Sequence, residues 1–418
     1  MIEYQREFVD KCCSGLCRSC QKQGLMPVLD LGPMPLSDGL VSKTQLDHVD
    51  RKYPLELAYC PNCSLVQILE TVPPEMLFCD DYPYYSSFSD ALLSHSRENA
   101  MNLIDRRGLN GESLVIELAS NDGYLLKNFV EKGIPVLGID PAQGPAKEAE
   151  AIGVPTMCTF FTRDLARKLR SQGNRADVII ANNVLAHVAD TNGFVQGIKL
   201  LLKDDGVAVI EVPYVRDLVD HCEFDTIYHE HLCYFSVTAL DRLFRRHDLY
   251  LNDIEKLSIH GGSLRLYLEH RESPKSSVRS MLEEEAREQI DQYPYYENFH
   301  QSVQTIRSQM RQMLSGLKAS GKTIAAYGAA AKGTIMLNYI GADSELINFV
   351  VDRNIHKQGK YLPGVRIPIF EPERLMRDKP DYVVILPWNF KDEILSQQTS
   401  YRMTGGKFII PIPSPAIV

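Results

Sequence analysis

The chain has 418 residues, 44% of them hydrophobic and 24% charged, with a formal net charge of −9, so two or three globular domains are expected. The acidic balance argues against a nucleic-acid partner, because surfaces that bind nucleic acid are usually basic. No apolar run reaches the roughly 20 residues of a membrane helix and the charged start lacks a signal-peptide core, so a cytoplasmic protein without a membrane partner is expected.

Two Cys-x-x-Cys pairs lie in the first part of the chain. Their members are Cys17 and Cys20, then Cys60 and Cys63. Four thiolates suit a closed, tetrahedral zinc ion with a structural role. The 39 residues between the pairs exceed the usual spacing of a zinc ribbon, so two unrelated pairs of buried cysteines are the alternative. We predict a zinc-binding module over residues 1–80.

Apolar, strand-like runs then alternate with helical stretches. The runs are SLVIELA, IPVLGID, ADVIIANN and GVAVIEVPY. Such alternation predicts a parallel, doubly wound α/β sheet, which we assign to residues 81–271. After a charged helical stretch the alternation restarts at KTIAAYGA, which predicts a second α/β domain over residues 272–418.

The first strand of the central domain runs into a turn of small residues. The predicted cofactor-binding residues are Glu117, Ala119, Asn121, Asp122 and Gly123, with Asp140, Asn182 and Asn183 after later strands. A carboxylate at the end of the second strand can accept both hydroxyls of a ribose. The turn is closer to the ExGxGxG pattern of class I methyltransferases than to the GxGxxG of NAD enzymes. We therefore predict an S-adenosylmethionine site, with a dinucleotide site as the alternative.

The densest group of polar side chains is Tyr228-His229-Glu230-His231. Histidine exchanges protons near neutral pH, and a tyrosine hydroxyl can donate to a developing enolate oxygen. The alternatives are a solvated loop, a histidine pair that stabilises a turn and, less favoured, a metal site. His187 follows the end of a predicted strand, where it would face the ligand-binding crevice at the carboxyl ends of the strands. The alternative is an ordinary histidine at the start of a helix.

Three further segments are candidate substrate-binding elements. They contain Tyr84 in DYPYYSS, His260, Gly261 and Gly262 in HGGS, and Gly328, Lys332 and Lys357 in and after YGAAAKG. A helix N-terminus with a lysine suits a diphosphate. A plain strand-to-helix packing turn is the alternative for YGAAAKG, and ordinary turns are the alternative for the other two.

The ordered set of motifs resembles the sugar C-methyltransferases. It consists of CxxC…CxxC, DYPYYSSFS, ELASNDG, NNVLAH, EVPY, YHEHLCYFS, HGGSLR, YGAAAKG and DRNIHKQGKYLPG. The resemblance implies S-adenosylmethionine-dependent methylation at C3 of a thymidine-diphosphate 4-keto-sugar, in deoxysugar and antibiotic biosynthesis. It also implies that Tyr82 is the family's active-site tyrosine. His187, Tyr228, Glu230 and His231 match its polar catalytic set, with His231 as the base.

Three other functions remain possible at this stage. A C-methyltransferase could act on a different enolisable substrate without a nucleotide, although YGAAAKG argues against it. A binding protein could keep the fold without catalysis, but the polar set at Tyr228, Glu230 and His231 is intact. An NAD oxidoreductase would need glycines that ELASNDG lacks. The oligomeric state is not predicted.

Overall fold

The computed structural model describes residues 2–78 and 84–418, with residues 2–6 and 260 described by their backbone only. Tyr82, predicted as catalytic, lies outside the described residues, as does the side chain of His260. The described chain contains three β-sheets of four, seven and six strands.

The N-terminal unit is a small antiparallel sheet next to a helix. Its elements are α1 (Ile2–Ser14), β1 (Met26–Pro35), β2 (Lys52–Tyr59), β3 (Val66–Ile68) and α2 (Pro74–Phe78). β1 pairs with β2 and β2 with β3, and register shifts in β1 fall between Pro27 and Leu29 and between Asp30 and Pro33. The long spacing between the two cysteine pairs is therefore occupied by a bulged pair of strands and their connection.

The central unit is a seven-stranded, mostly parallel sheet with helices on both faces. Its helices are α3 (Asp90–Arg107), α4 (Lys127–Val130), α5 (Gln143–Ala151), α6 (Arg163–Ser171), α7 (Thr191–Leu201), α8 (Val215–Asp220) and α9 (Val237–Arg245). Its strands are β4 (Val115–Leu118), β5 (Val136–Asp140), β6 (Thr156–Cys158), β7 (Ala176–Asn182), β8 (Leu202–Pro213), β10 (Tyr250–Leu257) and β11 (Ser263–Glu269). β9 (Cys233–Tyr234) lies between β8 and β10 in the chain but joins another sheet.

The order of strands in this sheet is β10-β11-β8-β7-β4-β5-β6. β6, β5, β4, β7 and β8 are parallel, and β11 and β10 add an antiparallel edge. Every residue of β4 is buried, as expected for a strand covered on both faces. The predicted doubly wound α/β fold is confirmed.

The C-terminal unit is a smaller sheet of the same kind. Its helices are α10 (Ser276–Glu288), α11 (Phe299–Ala319), α12 (Ala331–Ile340), α13 (Arg374–Asp378), α14 (Lys391–Gln397) and α15 (Thr399–Met403). Its strands are β12 (Ile324–Tyr327), β13 (Val350–Val351), β14 (Ile369–Phe370), β15 (Tyr382–Ile385), β16 (Lys407–Ile410) and β17 (Ala416–Ile417). The strand order is β14-β13-β12-β15-β16-β17, parallel except for β17.

The three units share hydrogen bonds and strands. β9 of the central unit completes the N-terminal sheet by pairing with β3. The buried carboxylate of Glu285 on α10 accepts from the first two backbone amides of α9, at Val237 (2.7 Å) and Thr238 (2.8 Å). The Thr334 hydroxyl on α12 donates to the carbonyl of Ser37, at 2.9 Å. Residues from all three units can therefore contribute to one site. Among the described helices, none combines the length and the apolar composition that a membrane span requires.

Candidate active site

The four predicted zinc ligands come together. The sulfur atoms of Cys17, Cys20, Cys60 and Cys63 all lie within 4.8 Å of one another. Cys17 and Cys63 are 3.5 Å apart at sulfur, and Cys20 and Cys60 are 3.6 Å apart. Zinc–sulfur bonds of about 2.3 Å in a tetrahedron place sulfurs roughly 3.8 Å apart, so the cluster fits such an ion.

The two cysteine pairs have the same backbone turn. After each pair the next residue has a positive φ, 61° at Gln21 and 62° at Ser64. The amide of Gln21 donates to Cys17 O (2.9 Å), and the amide of Ser64 donates to Cys60 O (2.8 Å). Matching turns present both thiols of each pair to a common centre. Four thiolates leave no open coordination position, so the donor set suits a structural ion.

The cofactor turn follows β4 at the carboxyl end of the central sheet. Its φ angles are 58° at Ala119, 49° at Asn121 and 76° at Gly123. These are the three glycine positions of the ExGxGxG pattern, and each keeps the left-handed backbone that glycine normally supplies. Asparagine tolerates that region, whereas alanine is strained there. The turn therefore retains its shape although two of its glycines are replaced.

Asp140, at the end of β5, holds this turn in place. Its two carboxylate oxygens accept from the amides of Asn121 and Ala142, both at 2.8 Å. Burial raises the pKa of Asp140 to about 6. A carboxylate offers about four acceptor sites, so the two amides leave room for ribose hydroxyls. Glu117 lies on the neighbouring strand and is buried, and burial raises its pKa well above the usual range.

Polar atoms without a partner surround the turn. Within the described residues, several buried oxygens have no hydrogen-bond partner: Glu117 Oε2, Ser120 Oγ, Asp122 Oδ1, Asn182 Oδ1 and Asn183 Oδ1. Buried polar groups are normally satisfied, so such a cluster fits a polar ligand. S-adenosylmethionine carries an ammonium group, ribose hydroxyls and an adenine amino group that could donate to these oxygens.

The side chains of Asn121 and Asp122 face the segment after the undescribed residues. Asn121 accepts from the amide of Ser86 (2.9 Å) and donates to Tyr84 O (3.2 Å), and Asp122 accepts from the amide of Ser87 (3.1 Å). The two predicted cofactor residues thus position Tyr84, a predicted substrate residue. The Tyr85 ring stacks on His356 of the C-terminal unit, with centroids 5.2 Å apart.

Tyr228 and His231 form a hydrogen-bonded pair. The Tyr228 hydroxyl lies 2.9 Å from His231 Nε2, and His231 Nδ1 lies 3.0 Å from the carbonyl of Thr226. A carbonyl only accepts, so Nδ1 carries the proton in this bond and Nε2 is the acceptor for the tyrosine hydroxyl. The Thr226 carbonyl therefore orients the imidazole.

His187 lies against this pair. The centroids of its ring and that of His231 are 4.7 Å apart. Burial lowers the pKa of His187 to about 4, so its imidazole is neutral at physiological pH. A neutral imidazole can donate one hydrogen bond and accept another. Three of the predicted catalytic residues thus meet, and His187 follows β7, the neighbour of the strand β4 that leads into the cofactor turn.

The other two polar residues of the run have separate partners. His229 is buried and its Nε2 lies 3.1 Å from Pro54 O on β2, which ties this segment to the N-terminal unit. Glu230 Oε2 accepts from the Ser37 hydroxyl at 2.8 Å. Burial, with Asp38 nearby, raises the pKa of Glu230 to about 8. The structure thus connects this predicted catalytic carboxyl to the N-terminal unit.

Lys332 is the second residue of α12, and its Nζ is surrounded by other side chains of the protein. Its Nζ donates to Asn389 Oδ1 (2.8 Å) and lies 4.5 Å from the centre of the Trp388 ring. Burial lowers its pKa, opposed by the nearby carboxylates of Asp225 and Glu223. Lys332, which was predicted to bind a diphosphate, therefore already has interaction partners within the protein.

The predicted glycines make close contacts with the protein itself. A Cβ at Gly261 would lie 3.0 Å from Glu223 and from Trp388, one at Gly262 2.1 Å from Asp217, and one at Gly328 2.4 Å from Pro387. Packing alone therefore accounts for glycine at these positions.

Lys357 lies where the C-terminal unit meets the N-terminal unit. Its Nζ donates to Ala329 O at 2.8 Å and is 3.7 Å from Asp38 of the N-terminal unit. Ser37 and Asp38, the N-terminal partners of Glu230 and Lys357, were not predicted from the sequence. Asp225, which is fully buried and accepts from Trp388 Nε1 at 3.0 Å, was not predicted either. The acidic residues close before YHEH were a signal for Asp225, whereas nothing local marked Ser37.

Known protein families match the three units in order. Residues 17–78 match “Putative zinc binding domain”, residues 92–253 “Methyltransferase domain”, and residues 258–413 “C-methyltransferase C-terminal domain”.

Among individual proteins, C-methyltransferase NovU of Streptomyces niveus is 34% identical over 407 residues, which is 96% of each chain. The ubiquinone biosynthesis O-methyltransferase of Azorhizobium caulinodans is 26% identical over 29% of this chain and 47% of that protein. The solved magnesium protoporphyrin IX methyltransferase of Synechocystis aligns with 42% of this chain and 78% of its own, at 14% identity and a TM-score of 0.33. The matches to NovU and to the three families show that the chain belongs to the sugar C-methyltransferase family and is an S-adenosylmethionine-dependent C-methyltransferase.

Proposed function

We propose that the chain methylates C3 of a nucleotide-diphosphate 4-keto-deoxysugar through an enolate. The observation that carries this proposal is the meeting of Tyr228, His231 and His187, with His187 following β7, the strand that pairs with β4. A carbon next to a ketone loses a proton readily when a base is in place, because the anion is an enolate. The resemblance of the ordered motifs to sugar C-methyltransferases supports a thymidine-diphosphate sugar as substrate.

The protein's groups divide the chemistry between them. His231 accepts the proton from the substrate carbon, and the electron pair of the broken C–H bond becomes the enolate. The enolate oxygen accepts a hydrogen bond from Tyr228 or His187. Such a donor in an active site is worth roughly 3 kcal/mol in the transition state. S-adenosylmethionine, when bound, supplies an electrophilic methyl group that the carbon attacks. Positioning of the two reactants can contribute several of the ~7–11 kcal/mol available from proximity.

We further propose that Cys17, Cys20, Cys60 and Cys63 hold a structural zinc ion. The N-terminal unit carries Ser37 and Asp38, whose neighbours are Glu230 and Lys357. An ion that stabilises this unit would therefore stabilise the substrate cleft indirectly. No step of the methyl transfer is assigned to it.

A different substrate class is the second candidate. Lys332 donates to Asn389 and lies near the carboxyls of Asp225 and Glu223, which favours an enolisable substrate without a diphosphate. A stabilisation panel distinguishes the two candidates, because a ligand that binds only the folded state raises its melting temperature. Thymidine-diphosphate sugars should raise it in the presence of S-adenosylhomocysteine, and thymidine diphosphate alone should do so in part. If neither did, while a ketone without a nucleotide did, the second candidate would replace the first.

Proton removal is tested separately from methylation. The enzyme is incubated in heavy water with S-adenosylhomocysteine and a thymidine-diphosphate 4-keto-deoxysugar, and deuterium at C3 is followed by NMR. Wild type should catalyse exchange without any methyl donor. If no keto-sugar in the panel exchanged, the enolate proposal would be wrong.

A further inference from the structure

A short segment of the N-terminal unit reaches the turn that carries the predicted catalytic pair. This turn runs from Tyr228 to His231 and is closed by the amide of His231, which donates to Tyr228 O at 2.9 Å. Glu230 lies within the turn, and its carboxyl is buried. Its Oε2 accepts from the hydroxyl of Ser37, which is also buried, at 2.8 Å. The carboxyl is therefore held from outside the methyltransferase unit.

The segment that begins at Ser37 is itself anchored on the C-terminal unit. The Ser37 carbonyl accepts from the hydroxyl of Thr334 at 2.9 Å. Val41, four residues further along, exchanges two backbone hydrogen bonds with Tyr361, at 2.9 and 2.8 Å. The segment is thus fixed at both ends and cannot readily move away from the turn that it contacts.

The next residue of the segment, Asp38, acts on the same carboxyl by its charge. Asp38 Oδ1 forms an ion pair with Lys357 Nζ, at 3.7 Å. Burial, followed by the charge of Asp38, raises the pKa of Glu230 to about 8, and the hydrogen bond from Ser37 acts in the opposite direction. Tyr234, whose hydroxyl burial keeps neutral by raising its pKa well above the usual range, also faces Glu230. At neutral pH the Glu230 carboxyl is protonated and can donate a hydrogen bond, which a carboxylate cannot do.

From these contacts we infer that Ser37 and Asp38 are positioning residues for the methyl transfer, which hold the Glu230 carboxyl in place as a neutral hydrogen-bond donor. The inference rests on the proposed function and adds two residues of the N-terminal unit to it. The roles of Tyr228 and His231 are unchanged. A carboxyl that donates suits an acceptor oxygen on the substrate, such as that of a hydroxyl or a carbonyl group.

Kinetics with a matched control separate a positioning role from a structural one. Ser37→Ala should lower kcat by about 10-fold or more, since a displacement of about 1 Å in an active site can cost about 10²-fold. Its affinity for S-adenosylhomocysteine should equal that of wild type. The control is Thr238→Val, because Thr238 also donates its hydroxyl to a buried carboxylate, that of Glu285 at 2.6 Å. It should lower the melting temperature by a similar amount and keep the wild-type kcat. If Ser37→Ala also kept the wild-type kcat, the inference would be wrong.

A double-mutant cycle tests whether Ser37 acts through Glu230. Residues that act as one unit are not additive. Adding Ser37→Ala to Glu230→Ala should therefore cause no further loss of kcat. If the two losses multiplied instead, Ser37 would act by another route, which contradicts the inference.

Infrared difference spectroscopy tests the protonation of Glu230 without any substrate. Subtraction of the Glu230→Gln spectrum from that of wild type should leave the carbonyl band of a protonated carboxyl at neutral pH. This band should titrate at lower pH in Asp38→Asn, which removes a like charge, and at higher pH in Ser37→Ala, which removes a donor to the ionised form. Absence of the band in wild type, or shifts of the opposite sign, would overturn the inference. Absence of deuterium exchange in wild type would instead contradict the enolate proposal, and circular dichroism establishes that each variant is folded.

Discussion

The strained turn after β4 allows both the sign and the size of a stability change to be predicted. Ala119 has a φ of 58°, in the left-handed region that L-residues avoid. We expect Ala119→Gly to stabilise the protein, although the substitution removes a side chain. In most positions the same substitution destabilises, so the direction itself is informative.

The magnitude follows from two opposing terms. The left-handed backbone costs an alanine roughly 1–2 kcal/mol, and the substitution would remove that strain. Glycine has more freedom in the unfolded chain, which costs about 0.5–1 kcal/mol. The net gain is about 0.5–1 kcal/mol, or about 1–4 °C in melting temperature for a unit of this size. Differential scanning calorimetry without cofactor measures it.

Two control variants belong to the same experiment. Ala286→Gly lies on the exposed side of α10 and should lose about 0.5–1 kcal/mol. Gly123→Ala makes the opposite substitution, glycine to alanine, within the same turn. It should destabilise the protein because the backbone φ at this position is 76° and the new Cβ would lie 3.1 Å from Val154. If Ala119→Gly lowered the melting temperature as Ala286→Gly does, position 119 would not be strained.

Four further variants test the zinc ligands, the cofactor site, Lys332 and Glu230. Cys60→Ser should lower metal content and melting temperature together, because the binding energy of a structural zinc is folding energy; unchanged values for both, measured with and without a chelator, would contradict the site. Asp140→Asn should weaken S-adenosylmethionine binding by about 1.5–3 kcal/mol in calorimetry, the range for hydrogen bonds to charged groups, and equal affinity would contradict the ribose contact. Lys332→Met should raise KM for the sugar nucleotide, and it should lower stability because Asp225 loses its nearby positive charge. Adding Asp225→Asn should restore stability but not KM. If the double variant recovered both stability and KM, Lys332 would have a purely structural role. Glu230→Gln should flatten the pH dependence of unfolding: burial raises the pKa of Glu230 from about 4.5 to about 8, so its stabilising contribution is complete below pH 4.5 and is lost as the pH rises through 8. The melting temperature of wild type should therefore fall more than that of the variant between pH 5 and 9, and parallel curves would contradict the shift.

The strands that were predicted correctly are those that long apolar runs encode. Each of SLVIELA, IPVLGID, ADVIIANN and GVAVIEVPY contains a strand of the central sheet, β4, β5, β7 and β8. Strands of two or three residues, such as β6, β9 and β14, have no period that a sequence pattern could show. β9 also pairs outside its own unit, with β3, which only tertiary structure determines.

In the candidate site, too, some residues were predicted from the sequence and others were not. His187, Tyr228 and His231 were found because their side chains carry recognisable chemistry and follow strand ends that converge on one edge of a sheet. Their partners were not found: His231 is oriented by the backbone carbonyl of Thr226, and every residue has a carbonyl. Glu230 bonds to Ser37, 193 positions earlier in the chain. A motif thus shows which groups can move a proton, but the orientation of those groups depends on hydrogen bonds to residues with no distinctive side chain. The residues of the pair were therefore apparent from YHEH, whereas the 2.9 Å contact between Tyr228 Oη and His231 Nε2 is seen only in the structure.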